Sequence, residues 1–173
     1  GGRWLGNILL QHSTHHILID NNTFDGYVTN AFYMYVQPTA FPDFPTHISI
    51  SDNFFLNGKI EEAIAIGSGN NGNDGNQSTF VTIEGNLFEN HVSQNGNGTE
   101  MIQIKTSDNV IRGNTFRDCF GHISNRSGKR NVYDRNVIVN QFLGIRVIDA
   151  DNEIVNNLFI DNEDAVALSY GNV

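Results

Sequence analysis

Lys105 and Arg126 stand 21 residues apart, and Arg146 follows 20 residues later. On a backbone that repeats with about that period, such residues share one face. A guanidinium beside an ammonium disfavours the charged form of the lysine, which lowers its pKa and makes it a base. The arginine stays charged and is suited to stabilising negative charge that develops during a reaction. Eight of the ten basic residues lie between Lys105 and Arg146, giving that stretch a net +5 against −14 for the rest of the chain. An overall charge of −9 argues against nucleic acid as the partner, whereas one cationic segment on an acidic chain suits a polyanion. From charge alone, Lys105 and Arg126 read equally as exposed sheet residues paired with Glu100 or Asp108.

The elements that must position these residues are visible as a repeat. A β-branched run followed by Asn-x-Phe or a close variant recurs as ILIDNNTF (17–24), ISISDNFF (48–55), VTIEGNLF (81–88), NVIRGNTF (109–116), NVYDRNVI (131–138) and NEIVNNLF (152–159). The shared asparagines, Asn22, Asn53, Asn86, Asn114, Asn136 and Asn157, are separated by 31, 33, 28, 22 and 21 residues. A period near 21 is too short for a βαβ unit, which takes roughly 30 residues or more, and fits one coil of a solenoid of short strands. The expected fold is therefore all-β, a right-handed parallel β-helix of about six to seven coils. Its asparagines should form an amide ladder and its Phe positions an internal stack.

Between the Asn positions runs a second alternating segment: AIAIG (63–67), MIQIKT (101–106), HISNRS (122–127), LGIRVI (143–148) and AVALS (165–169). Alternation sends Ile102, Ile104 and Ile123 inward, and Met101, Gln103, Lys105, His122, Ser124 and Arg126 outward. Asn125 then points inside and needs an amide partner. Lys105 and Arg126 fall side by side on one exposed sheet face, with Arg146 on the next coil near the same row. His122, one strand step away, is a candidate substrate ligand.

The 173 residues read as a single domain over 1–173, either whole or a piece of a longer solenoid. Seventeen Gly beside a heavy load of Asn is turn chemistry on a β scaffold. Cys119 is the only cysteine, so no disulfide closes within the chain. No apolar run approaches the roughly 20 residues of a membrane span, so no membrane partner is expected. Loops are expected at 37–46, 68–79 and 93–99, where they would wall a binding cleft. Uncapped solenoid ends expose strand edges, which calls for further coils, a second domain or a subunit to cover them.

The stretch TEMIQIKTSDNVIRGNTFRDCFGHISNRSGKRN (99–131), followed by GIRV (144–147), resembles the polysaccharide lyase family that contains alginate lyases and chondroitinase B. Weaker similarity runs back through EEAIAIG (61–67) to about residue 12. The resemblance implies β-elimination on a uronic-acid-containing anionic polysaccharide, alginate ahead of dermatan sulfate, by a secreted or periplasmic protein. It implies Lys105 as general base and Arg126 as general acid, with Arg146 holding a substrate carboxylate. The alternative class is a β-helix that binds an anionic polysaccharide without turnover, or serves as a structural solenoid.

Calcium-dependent members of that family hold the metal with an Asn and two Glu. Glu100 matches one Glu position, the second falls at Gly98, and the Asn falls at Lys59, or at Asn57 after a shift of two residues. One carboxylate and a lysine fall short of the six or more oxygens calcium takes. The expected cofactor is therefore none, or calcium at an incomplete site, with Lys59 pairing Glu100 and supplying positive charge directly. The family's His after the catalytic Arg is Ser127 here, and a substrate-binding Arg before Ile66 is Ala65. Tyr133 and Tyr170 are candidates for sugar stacking or proton transfer. In QHSTHH, a strand sends His15 and His16 to opposite faces, which argues against a metal site.

Overall fold

The computed structural model describes residues 6–26, 32–37, 43–67, 74–93 and 99–169. Its strands stack coil on coil into a parallel β-helix with three long sheets. The first has seven strands, Gly6–Gln11, Phe32–Gln37, Glu62–Ile66, Thr99–Ile104, Gly121–Asn125, Leu143–Val147 and Asp164–Leu168, each in parallel register with its neighbours. Two six-stranded sheets complete the walls. One runs from His15–Asp20 to Glu153–Val155 and the other from Thr23–Asp25 to Leu158–Ile160. A two-stranded sheet, Lys59–Ile60 beside Val92–Ser93, sits at the corner before the seven-stranded one. Among the described residues the only helical piece is a 3₁₀ turn at Asp74–Asn76. Most of the expected loop residues, 38–42, 68–73 and 94–98, lie outside the described residues, as does Tyr170.

The repeat motif has a direct physical cause. Each coil turns sharply between its two short sheets, and the residue before the ladder Asn takes a left-handed backbone: Asn21, Asp52, Gly85, Gly113, Arg135 and Asn156 have φ between 51° and 68°. Asn, Asp and Gly tolerate that region best, which explains the Asn-Asn, Asp-Asn and Gly-Asn dipeptides. The following Asn closes the turn from inside. Asn86 Oδ1 accepts from Asn53 N at 2.9 Å, while Asn86 Nδ2 donates to Ile50 O at 2.9 Å and to Asn114 Oδ1 at 2.9 Å. Asn53, Asn86, Asn114 and Asn136 are fully buried, and the ladder supplies the partners their amides require. Two residues on, Phe24, Phe55, Phe88 and Phe116 stack with centroids 5.0, 4.7 and 4.6 Å apart, the coil spacing of about 4.8 Å.

Simple alternation fails at one place that shapes the site. Pairing with Gly121–Asn125 jumps from Glu100↔His122 to Ile102↔Ile123, so Met101 is an extra residue, a β-bulge. Met101 and Ile102 are both buried, contrary to the outward position expected for Met101. The neighbouring coils match, with Tyr33 and Met34 buried as a pair, and Ala63 with Ile64. Glu100 and Gln103, three residues apart, consequently reach the same outer face. Asn125 is buried as expected and donates to Gly128 O at 3.1 Å. Leu158, Val166 and Leu168, on the last described coil, are exposed.

Candidate active site

The outer face of the seven-stranded sheet carries three rows of side chains. Glu62, Glu100 and His122 form the first, and Ala65, Gln103, Ser124 and Arg146 the second. The third contains Lys105 and Arg126, whose amides donate to Ile66 O and Ile104 O, both at 2.8 Å. Lys105 and Arg126 are thus aligned on adjoining coils. Arg146 pairs with Ser124 and lies one row over from the position expected for it, because Ile148 occupies the next place in the Lys105–Arg126 row. The spacing of 20 falls two residues short of the local coil, which keeps the face and changes the row. Gly67 continues the third row toward the previous coil at φ +96°, and a Cβ there would stand 2.8 Å from Lys105 Cβ. Only glycine gives the lysine that seat.

Glu100 organises the centre. It is 3% exposed, and its Oε1 accepts from Arg126 Nε at 2.7 Å while its Oε2 accepts from Gln103 Nε2. The same Gln103 nitrogen donates to Glu62 Oε1 at 2.9 Å, so one amide bridges two carboxylates on adjoining coils. Burial alone would raise the Glu100 pKa, but the hydrogen bonds from Arg126 and Gln103 together with the Arg126 charge hold it below the ordinary value. Glu62 goes the other way, pushed up to about 7 by burial and by the charges of Glu100 and Glu61, against the opposing pull of Lys105 and Arg126. Near neutrality Glu62 is therefore substantially protonated, and the face keeps its cationic character. Arg126 is anchored through Nε, and its side chain is 50% exposed, so its terminal amino groups remain available to a ligand.

His122 is half-buried and its Nε2 has no hydrogen-bond partner. Burial lowers its pKa, and the Arg146 and Arg126 charges lower it further against the pull of Glu100. It is a neutral imidazole at physiological pH. Ser124, fully buried between Gln103 and Arg146, adds to the pull that lowers the Glu100 pKa. The sequence reading placed Gln103 and Ser124 on the outer face without giving them a role, and missed Glu62. The EEAIAIG and TEMIQIK segments carry the signal, since Glu62 and Glu100 occupy matching places in them, but only the bulge brings Gln103 beside both.

Three sequence-derived assignments are corrected. Lys59 does not pair with Glu100, whose oxygens accept from Arg126 and Gln103; its backbone runs beside that of Val92 in the two-stranded corner sheet. Asn57 lies away from Glu100, donating to Asp25 Oδ1 at 2.8 Å and accepting from Asn90 at 2.7 Å on an exposed corner ladder. Tyr133 is fully buried, because alternation in Val132–Asp134 turns it into the coil. Burial drives its phenol pKa upward, opposed by the neighbouring Asn125 amide, so it cannot stack on a sugar outside. At Glu100, the one carboxylate expected to hold calcium, each oxygen accepts a hydrogen bond, from Arg126 and from Gln103. Among the described residues, no three His, Cys, Asp or Glu side chains converge to hold a metal. Gly98 lies outside the described residues.

The face thus offers an anchored guanidinium, a lysine beside it, a third cation one row over and a neutral histidine. That set can bind a polyanion and move a proton next to a carboxylate. No curated protein matches the chain. The family model described as Chondroitinase B matches residues 5–169, nearly the whole sequence, and the chain belongs to the chondroitinase B family.

Proposed function

We propose that the protein is a lyase that cleaves a uronic-acid-containing polysaccharide by β-elimination on the Lys105–Arg126 face. Membership of the chondroitinase B family supports polysaccharide lyase chemistry on such a polymer. The observation that carries the residue assignment is the adjacency of Lys105 to an Arg126 held by a buried carboxylate. In this reading Lys105 takes the proton from C5 of the uronate. The freed electron pair forms the C4–C5 double bond as the bond from C4 to the glycosidic oxygen breaks. Arg126 stabilises that departing oxygen and, as general acid, relays a proton to it from solvent while staying charged, and Arg146 and His122 hold the sugar carboxylate and hydroxyls. Abstraction next to a carboxylate builds charge on that group, and the three cations offset it without calcium. An exported protein, secreted or periplasmic, fits a polymer too large to enter a cell.

The test is the ultraviolet absorbance of the unsaturated uronate on alginate, dermatan sulfate and unsulfated chondroitin, each with calcium and with a chelator. A rise that persists in chelator and falls by about 10²–10⁴ in Lys105→Ala supports both base and metal-free site. No rise on any of the three from folded protein overturns the lyase reading, and a rise abolished by chelator overturns the metal-free part.

A further inference from the structure

Val92, Phe120 and Phe142 occupy matching places on three successive coils, at the corner where the chain enters the seven-stranded sheet. All three are exposed, Phe120 at 44% and Phe142 at 56%. They border an open cleft of ≈ 490 Å³, whose rim carries Asp118, Asp161 and Glu163 and whose floor includes Gln141. We propose that this cleft is a subsite for an uncharged sugar ring of the same polysaccharide, seated on the two phenylalanines where the chain enters the sheet that carries the cationic face. The inference rests on the lyase reading for the identity of the polymer, but not for the existence of the subsite.

Three observations carry it. Two large apolar rings left in water on consecutive coils, within a mostly polar and acidic surface, form a platform for the C–H face of a pyranose. The rim is anionic, so it repels a uronate carboxylate or a sulfate, which the Lys105, Arg126 and Arg146 face accepts instead. The two regions are continuous, since Phe120 precedes His122 by two residues, about 7 Å of strand. A sugar chain crossing both must present charge at one end and an uncharged ring at the other.

Gln141 gives the floor its polar character. At the equivalent place on neighbouring coils, Cys119 Sγ reaches Phe88 O at 3.4 Å, and Asn162 Nδ2 donates to Ile138 O at 2.9 Å. The longer Gln141 makes no such bond. It is 5% exposed, and both its amide nitrogen and its oxygen lack partners. A turn of that buried side chain toward the cleft would meet a donor and an acceptor on a hydroxyl-bearing ring, which neither an apolar ligand nor a cation offers. Among the described residues no metal-holding group of acidic or His side chains forms here, which sets the rim carboxylates apart from a cation site.

The experiment is saturation-transfer NMR on the full chain with diacetylchitobiose as the uncharged probe. Transfer to the probe is expected in the wild type and in Lys105→Ala, insensitive to salt, and about tenfold weaker in Phe142→Ala, with Phe120→Ala as the second variant. Absence of transfer in the wild type, or transfer as strong as wild type in both Phe variants, overturns the subsite. If a polymer is turned over, Phe142→Ala should raise KM about tenfold for unsulfated chondroitin and leave alginate unchanged. An equal rise for both counts against the proposal. Transfer without turnover of any polymer would leave the subsite standing while the lyase reading falls, so the two failures separate.

Discussion

Replacing Glu100 by Gln removes one charge and almost no volume, and its consequences follow from three contacts. The new amide oxygen can still accept from Arg126 Nε, but the bond loses its charge assistance. The new amide nitrogen faces the Gln103 nitrogen, setting donor against donor where Oε2 now accepts. With Arg126 half exposed and re-solvated, the stability loss is discounted to about 1 kcal/mol. Turnover should suffer more. An anchored guanidinium that loses its orienting carboxylate shifts by an ångström or so, which costs on the order of 10²-fold in kcat with little change in KM. A second signature accompanies the first. Glu62 stands at about 7 partly because of the Glu100 charge, so its titration should move down toward 4.5 in Glu100→Gln, with burial keeping it above that value. Initial rates give the first quantity, and carboxyl NMR of labelled glutamate gives the second. Wild-type kcat in Glu100→Gln would refute the anchoring of Arg126, and a Glu62 that still titrates near 7 would refute the coupling.

Glu62 itself predicts a pH-dependent stability. Its folded pKa of about 7 lies above the unfolded 4.5, so the folded state holds the proton longer and stability falls as pH rises through that window. Glu62→Gln mimics the protonated form, and thermal unfolding should show it more stable than the wild type by up to about 3 kcal/mol above pH 7, with no advantage below 4.5. Equal melting temperatures at high pH would show that Glu62 is not perturbed. Tyr133→Phe should leave turnover unchanged and alter the urea midpoint by less than about 1 kcal/mol, because its buried hydroxyl makes no good hydrogen bond; a large drop in kcat would place Tyr133 in the site after all. Gln141→Asn should stabilise by about 1 kcal/mol in the same assay, since the shorter amide can reach the preceding coil as Asn162 does; a loss of stability would show that the Gln141 amide is satisfied in solution.

Much of the fold was legible because a solenoid repeats its physics. The Asn-x-Phe motif marks a left-handed turn residue, an amide that closes the turn and an aromatic that stacks inside, and each needs a narrow choice of side chain. The adjacency of Lys105 and Arg126 was legible for the same reason, through a spacing of one coil. What escaped was local departure from the repeat. Met101 reads as one more member of an alternating strand, and nothing in its type signals that a bulge turns it inward and leaves Glu100 and Gln103 together outside. Tyr133 and Lys59 misled in another way. Their types suit a sugar site, but a one-residue step in a strand or a corner decides which surface they reach, and type carries no such information.

The same distinction explains how this chain can specify a fold and a site with little interference between them. Coil-to-coil ladders are satisfied from inside, by amides and rings whose partners are their own copies one coil away. The outer rows of the seven-stranded sheet contribute no such ladder: Glu62, Glu100 and His122 follow one another, as do Ala65, Gln103, Ser124 and Arg146. Freed from repeating, those positions hold a raised carboxylate, a depressed one and an imidazole below its usual value within a few strand spacings. Perturbed groups so gathered cost stability, and the interior ladders supply what offsets it. The outer face can therefore change its chemistry residue by residue without loss of the coil. That is why an Arg126–Glu100 bond can sit on the outer face while the backbone beneath it keeps the coil-to-coil register.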